Sequence, residues 1–212
     1  MNAPAPKRAL IVVDVQNEYV TGDLRIQYPP VEDSLTQIGR AMDTAAAAGM
    51  PIVVVQHTAP TGAPIFDRGT AGWQLHRTVA ERHYDLALEK TVPSVFAEND
   101  LESWLRERGI DTIAVVGYMT HHCNNALITH AHHAGFGTEH LSDATGTVPL
   151  TNAAGQATAA EIHRVLNVVM HSQFAAVSTT EQWVHNVGNA TATPIGNLYD
   201  SYNSSFASAA PR

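Results

Sequence analysis

The chain has 212 residues, 44% of them hydrophobic and 15% charged, and a formal charge of −8 from 12 basic and 20 acidic residues. That length suits one domain, that composition excludes a disordered chain, and that charge argues against a surface built for nucleic-acid phosphates. No apolar run approaches the ~18 residues that a membrane-spanning helix needs, and the lone Cys123 excludes an internal disulfide or a CxxC site.

The opening residues Met1–Pro6 carry no targeting signal, and the apolar stretch Ala9–Val13 is too short for a signal-peptide core, so a cytoplasmic protein is expected. Arg8–Val15 reads as a buried parallel strand. Helical spacing of Leu35, Ile38, Met42 and Ala45 predicts a helix over 31–48, stopped by Gly49. A second buried strand follows at 51–57, then a Gly/Pro-rich loop over 58–72 and a short helix over 73–82. A strand is expected over 85–90, a helix over 99–108, a strand over 111–117, a helix over 120–134, a weaker strand over 136–142, a long helix over 151–171 and a last strand over 174–178. This alternation predicts an α/β fold: one doubly wound, mostly parallel sheet with helices on both faces. We divide the chain into a domain of residues 1–187 and an Ala/Ser/Asn/Thr-rich arm, 188–212, which would pack on its own core or on a neighbouring subunit. The arm's apolar residues Ile195, Leu198, Tyr199, Tyr202 and Phe206 are spaced irregularly, which suits an extended arm better than a helix.

In such sheets, ligands bind beyond the carboxyl ends of the strands. Asp14 ends the first strand, Lys90 ends a middle one, and Cys123 opens the helix after the 111–117 strand. A carboxylate among apolar neighbours needs a partner. Only two lysines exist, Lys7 and Lys90, and a thiol near a helix N-terminus has a stabilised thiolate. Neither GxGxxG nor GxxxxGK[ST] is present, so no nucleotide cofactor is signalled.

Five segments, in order, carry a resemblance: ALIVVDVQNEY, RGTAGWQLH, LEKTVPSVFAENDLESWLRERGID, VVGYMTHHCNNALITHAHHAGF and HLSDAT. From about Ala9 to Val184 the chain resembles the isochorismatase-like cysteine hydrolases, the nicotinamidase-related, amidohydrolase branch included. The resemblance implies six strands in the order 3-2-1-4-5-6. It also implies a catalytic triad of Asp14, Lys90 and Cys123, and a cis peptide between Tyr118 and Met119. Backbone N–H groups of Met119 and Cys123 would face the oxyanion. Cysteine at the nucleophile position favours amide, carbamoyl or lactam hydrolysis of a small molecule through a thioester. Hydrolysis of a vinyl ether, or non-catalytic binding on the same fold, are the alternatives.

Substrate contacts are expected from Trp73, Phe96 and Tyr118 as aromatic walls, from His122 at the pocket mouth and from Asn124 in the helix turn. Nicotinamidase-type metal binding needs Asp-x-His and a further His. Here His57 lacks that Asp, so no metal and no cofactor are expected. Cys123 should be a thiolate near neutral pH if Lys90 neutralises Asp14. A homodimer or homotetramer is expected from the arm.

Overall fold

Apolar, β-branched runs with no solvent-facing alternation form the centre of the sheet. A computed structural model of the chain describes residues 5–207. In chain order its main elements are β1 (Arg8–Val13), α1 (Val31–Ala47), β2 (Ile52–His57), α2 (Arg77–Ala80), β3 (Leu86–Lys90), α3 (Leu101–Glu107) and β4 (Thr112–Tyr118). There follow α4 (Asn125–His133), β5 (Gly137–Gly146), β6 (Leu150–Asn152), β7 (Gly155–Ala157), α5 (Ala159–Val169), β8 (Ala176–Ser178), α6 (Thr180–Gly188) and α7 (Leu198–Ala207). All pairings of the six-stranded sheet are parallel, in the order β3-β2-β1-β4-β5-β8. That is the sheet order expected, with β8 in the sixth place because β6 and β7 form a separate antiparallel hairpin.

The sheet divides two cores. Leu10, Val12, Ile38, Met42, Val54, Val116 and Trp183 pack with α1 and α6 on one face. Ile11, Val53, Val115, Leu105, Leu127 and Ile128 pack with α3 and α4 on the other. Along β1 and β4 alternate residues serve opposite cores, as the two-residue period of a strand requires. Gly117 allows β4 to lie against β1: its φ is 103°, and a Cβ there would sit 2.1 Å from the Val13 carbonyl oxygen.

Two expectations are corrected. The long helix over 151–171 begins only at Ala159, because Thr158 and Glu161 form a reciprocal capping box there. The preceding residues turn back as β6–β7, with the Ala154 N–H bonded to Asn152 Oδ1 at 2.8 Å. The arm also differs, since all of its apolar residues but Ile195 lie on a helix, α7, rather than an extended strand. Leu198, Tyr202 and Phe206 recur at four-residue steps, and Tyr202 and Phe206 stack edge to face at 4.9 Å.

The proposed boundary at Val187 falls inside α6. Residues just beyond it are tied to the core by a buried cluster around Glu139. Its carboxylate accepts Arg8 Nε and Nη2, each at 2.8 Å, Trp183 Nε1 at 2.8 Å and Thr193 Oγ1 at 2.7 Å. Arg8 Nη2 also donates to the Thr191 carbonyl at 2.6 Å. Glu139→Gln removes the charge that compensates Arg8, and losing one partner of a buried pair costs about 3–5 kcal/mol. Urea unfolding should show a loss of that size; a loss under about 1 kcal/mol, the value of an exposed pair, would contradict it.

Candidate active site

The strand register brings Asp14, Lys90 and Cys123 to one end of the sheet. β1 lies between β2 and β4, with Val13 opposite both Val55 and Gly117. β3 ends with Lys90 paired to His57. Asp14 follows β1 directly at φ 52°, a left-handed conformation that costs a non-glycine residue roughly 1 kcal/mol or more. It is held there because its N–H bonds the Val55 carbonyl at 2.8 Å and its carbonyl accepts the Gln16 N–H at 2.8 Å. Cys123 sits in a π-helical turn, Thr120–Asn124, between β4 and α4.

Asp14, Lys90 and Cys123 are all buried. Lys90 Nζ lies 2.7 Å from Asp14 Oδ2 and 3.2 Å from Cys123 Sγ. His57 Nδ1 stands 3.4 Å from the same ammonium, and His122 Nδ1 is 3.5 Å from the sulfur. Burial alone would lower the Lys90 pKa, but Asp14 and the sulfur outweigh it and hold the ammonium above its usual value. Cys123 moves the other way from the sequence expectation. Burial, reinforced by the Asp14 charge, pushes its thiol up to about 12, and Lys90 offsets this only in part. The direction of this shift favours a thiol beside an ion pair over a free thiolate.

The remaining sequence-predicted residues divide into two sets. Phe96 is buried beside α4 and stacks on His130 at 5.2 Å. Half-buried Trp73 donates from Nε1 to Thr58 Oγ1 at 2.9 Å, and exposed His122 marks the solvent side of the thiol. Tyr118 and Asn124 are tied to the core. The Tyr118 hydroxyl bonds Ser34 Oγ at 2.7 Å under α1, and Asn124 Nδ2 donates to the Gly117 carbonyl at 2.9 Å. Both residues are fully buried, and Asn124 Oδ1 has no hydrogen-bond partner among the described residues. The Tyr118–Met119 peptide is cis.

Gln16 was not singled out in the sequence. Its amide clamps His57 from both sides, accepting the His57 N–H at 3.0 Å and donating to its carbonyl at 3.0 Å, and it also donates to the Trp73 carbonyl at 2.7 Å. One buried side chain thus fixes the end of β2 and the Trp73 loop around Lys90. The available signal was a polar residue two places beyond a buried strand-end carboxylate. Phe66 and Tyr19 were also missed; Phe66 meets the His57 ring edge-on at 5.3 Å and packs on Tyr19 at 5.1 Å. Among the described residues, no three His, Cys, Asp or Glu side chains converge on a metal-sized centre.

A sequence profile of the isochorismatase domain matches residues 8–182. The chain belongs to the isochorismatase family. It is similar to a crystal structure of a Burkholderia xenovorans protein assigned to the isochorismatases, at 53% identity and a TM-score of 0.96, over 98% of this chain and 100% of that one. It is 31% identical to the secreted isochorismatase effector of Verticillium dahliae, over 68% of this chain and 76% of the relative. It is 27% identical to the ureidoacrylate amidohydrolase RutB of Acinetobacter baylyi, over 85% and 84% respectively. The protein is thus a hydrolase of the isochorismatase family.

Burial disfavours the protonated form of several histidines. Burial lowers the pKa of His57, His121 and His163, and pushes fully buried His140 down to about 3. The unfolded chain binds protons on them near pH 6.5 while the native state does not, so stability is lost as pH falls from about 6.5 toward 3. Urea midpoints should fall over that range, with a shallower slope in His140→Asn. A His140 resonance titrating near 6.5 in the folded protein would contradict this.

Proposed function

We propose that this protein is a cysteine hydrolase that cleaves an amide, carbamoyl or lactam C–N bond of a small molecule through a thioester on Cys123. The observation that carries the reading is the buried contact of one ammonium with both a carboxylate and the thiol, 2.7 and 3.2 Å away. A metal-free C–N hydrolysis needs a nucleophile, a base for its proton and compensation for the charge that develops. Cys123, Asp14 and Lys90 supply one each. The name of the RutB relative, an amidohydrolase, points the same way.

Attack and proton transfer are coupled in this reading. As sulfur bonds to the carbonyl carbon, the thiol proton passes to Asp14. The carbonyl electron pair moves to oxygen, which the N–H groups of Met119 and Cys123 receive. Collapse of the adduct breaks the C–N bond, and Asp14 returns the proton to the departing nitrogen. Asp14 then takes a proton from water attacking the thioester, and the sulfur leaves with that proton. Lys90 keeps its proton throughout and offsets the negative charge as it moves between Asp14, sulfur and oxygen. His57 contributes no metal site in this scheme, because the Lys90 ammonium 3.4 Å from its Nδ1 repels a cation.

An amide-library screen for ammonia or amine release, with mass spectrometry for an acyl group on Cys123, tests the reading. Cys123→Ser, Asp14→Asn and Lys90→Ala should each lower turnover by at least about a hundredfold, with no further loss on combining them, because the three act as a unit. Dialysis against a chelator should leave turnover unchanged. Activity that survives Cys123→Ala would favour vinyl-ether hydrolysis, and a near-normal rate in Lys90→Ala would reject the triad.

For the arm, we propose a second copy of this chain as the partner of α7. Ile195, Leu198, Tyr199, Tyr202 and Phe206 are each more than half exposed. At ~150–250 Å² per aromatic side chain, two exchanged arms and the surfaces they cover would bury on the order of 2,000 Å², the size of a stable interface. Deleting residues 198–212, which leaves Thr193 on Glu139, should lower the mass measured by light scattering without changing the melting temperature of the core. An unchanged mass would return α7 to its own chain.

A further inference from the structure

The turn that carries Cys123 is not a regular helix. The His122 and Asn124 N–H groups both bond the Met119 carbonyl, at 3.1 and 3.2 Å. A turn of this kind lacks the repeating ladder that stiffens an α-helix, so its position depends on side-chain tethers. One tether is Asn124, bonded back to β4 through the Gly117 carbonyl. The other is Thr120, the residue after Met119. Its hydroxyl lies 3.2 Å from the Gly146 carbonyl at the end of β5 and 3.0 Å from His163 Nδ1 on α5.

We infer that His163 is a positioning residue for the hydrolytic reaction: it fixes Thr120, and through Thr120 the Met119–Cys123 backbone that receives the oxyanion. Thr120 is fully buried and His163 is 5% exposed, so neither contact competes with bulk water. The imidazole is itself held in place. The Tyr28 ring packs edge-on against it at 5.4 Å, and α5 is anchored at its start by the Thr158–Glu161 capping box. The Thr120 hydroxyl has one hydrogen and faces two partners, the Gly146 oxygen and the His163 nitrogen. With the hydroxyl donating to the Gly146 carbonyl, His163 acts as the Nδ1–H donor to the hydroxyl oxygen, and Thr120 is held from both sides. Without His163, only the longer bond to Gly146 remains, and the turn can shift toward or away from the reacting carbonyl. Displacements well under 1 Å matter at such a site, because oxyanion donors act only at hydrogen-bond distance.

This inference rests on the acyl-enzyme reading above, and two reactions of the same sulfur separate the two. Iodoacetamide alkylates Cys123 by displacing iodide at a saturated carbon, with no oxyanion formed. p-Nitrophenyl acetate acylates it: the S–C bond forms, p-nitrophenolate leaves, the thiol proton passes to Asp14, and a tetrahedral oxyanion arises on the way. In His163→Ala, the acylation burst should slow on the order of tenfold or more, below the ~10²–10³ for deleting an oxyanion donor outright. Alkylation should stay within about twofold, by the same reasoning that it needs no such donor. Thr120→Val should reproduce the effect, and the double variant should be no worse than either single one. His163→Asn, which places an amide near the Nδ1 position, should recover most of the burst. Equal slowing of both reactions, or of neither, in folded His163→Ala overturns the inference. A wild-type protein that is alkylated but never acylated rejects instead the acyl-enzyme reading on which it rests.

Discussion

The structure of the site depends on a buried ion pair between Lys90 and Asp14. At 2.7 Å and an effective dielectric near 20, their attraction is roughly 6 kcal/mol. Removing the two charges from water costs several kcal/mol per ion. The pair is therefore close to break-even for stability, although losing one member would leave a buried charge uncompensated. Among the described residues no backbone N–H satisfies the Asp14 oxygens, so the carboxylate relies on Lys90 for its charge. The consequence is chemical. A carboxylate already neutralised by an ammonium can stay beside the thiol, and burial with the Asp14 charge favours the protonated form of Cys123.

The fold serves this pair by position. β1 ends opposite Val55 and β3 runs two residues further, to Lys90 opposite His57, so Asp14 and Lys90 meet at the same end of the sheet, and Gly117 lets β4 bring the Cys123 turn close to β1. Gln16 then locks the end of β2 and the Trp73 loop around the ammonium. At the opposite end of the sheet, the Glu139 cluster joins β1, β5, α6 and the segment around Thr193. The candidate catalytic groups and the structural ions are thus kept apart along the strands: one end carries Asp14, Lys90 and the Cys123 thiol, the other the buried pair that closes the core.

Where sequence reasoning succeeded, it rested on local patterns with a direct physical meaning. Buried runs such as Ala9–Val13 and Ile113–Val116 had to be strands, and the rule for ligands at strand ends selected Asp14, Lys90 and Cys123 before any resemblance was considered. It failed where tertiary packing overrides residue type. Thiol ionisation is decided by how deeply Cys123 is buried, which its place near a helix N-terminus does not reveal. Ser34 takes the Tyr118 hydroxyl and the Gly117 carbonyl takes Asn124 Nδ2, contacts that residue type alone does not reveal. His163 meets Thr120 across 43 positions of sequence, and no spacing marks such a contact. The β6–β7 hairpin left a weak signal, a Gly155 with φ 137° three residues after Asn152, inside what read as a continuous helix.

The account turns on where one proton rests, and the chain offers a direct view of it because Cys123 is its only cysteine. The S–H stretch in the Raman spectrum of the native protein reports that proton without any substrate. An S–H band present at pH 7, persisting above pH 9 and absent from Cys123→Ser, is the result expected of a thiol held beside a Lys90–Asp14 ion pair. An absent band at pH 7, with thiolate absorbance in the ultraviolet that disappears in Cys123→Ser, would contradict it: the proton would then rest on Asp14 or be lost to solvent, and Lys90 would pair with sulfur rather than with the carboxylate.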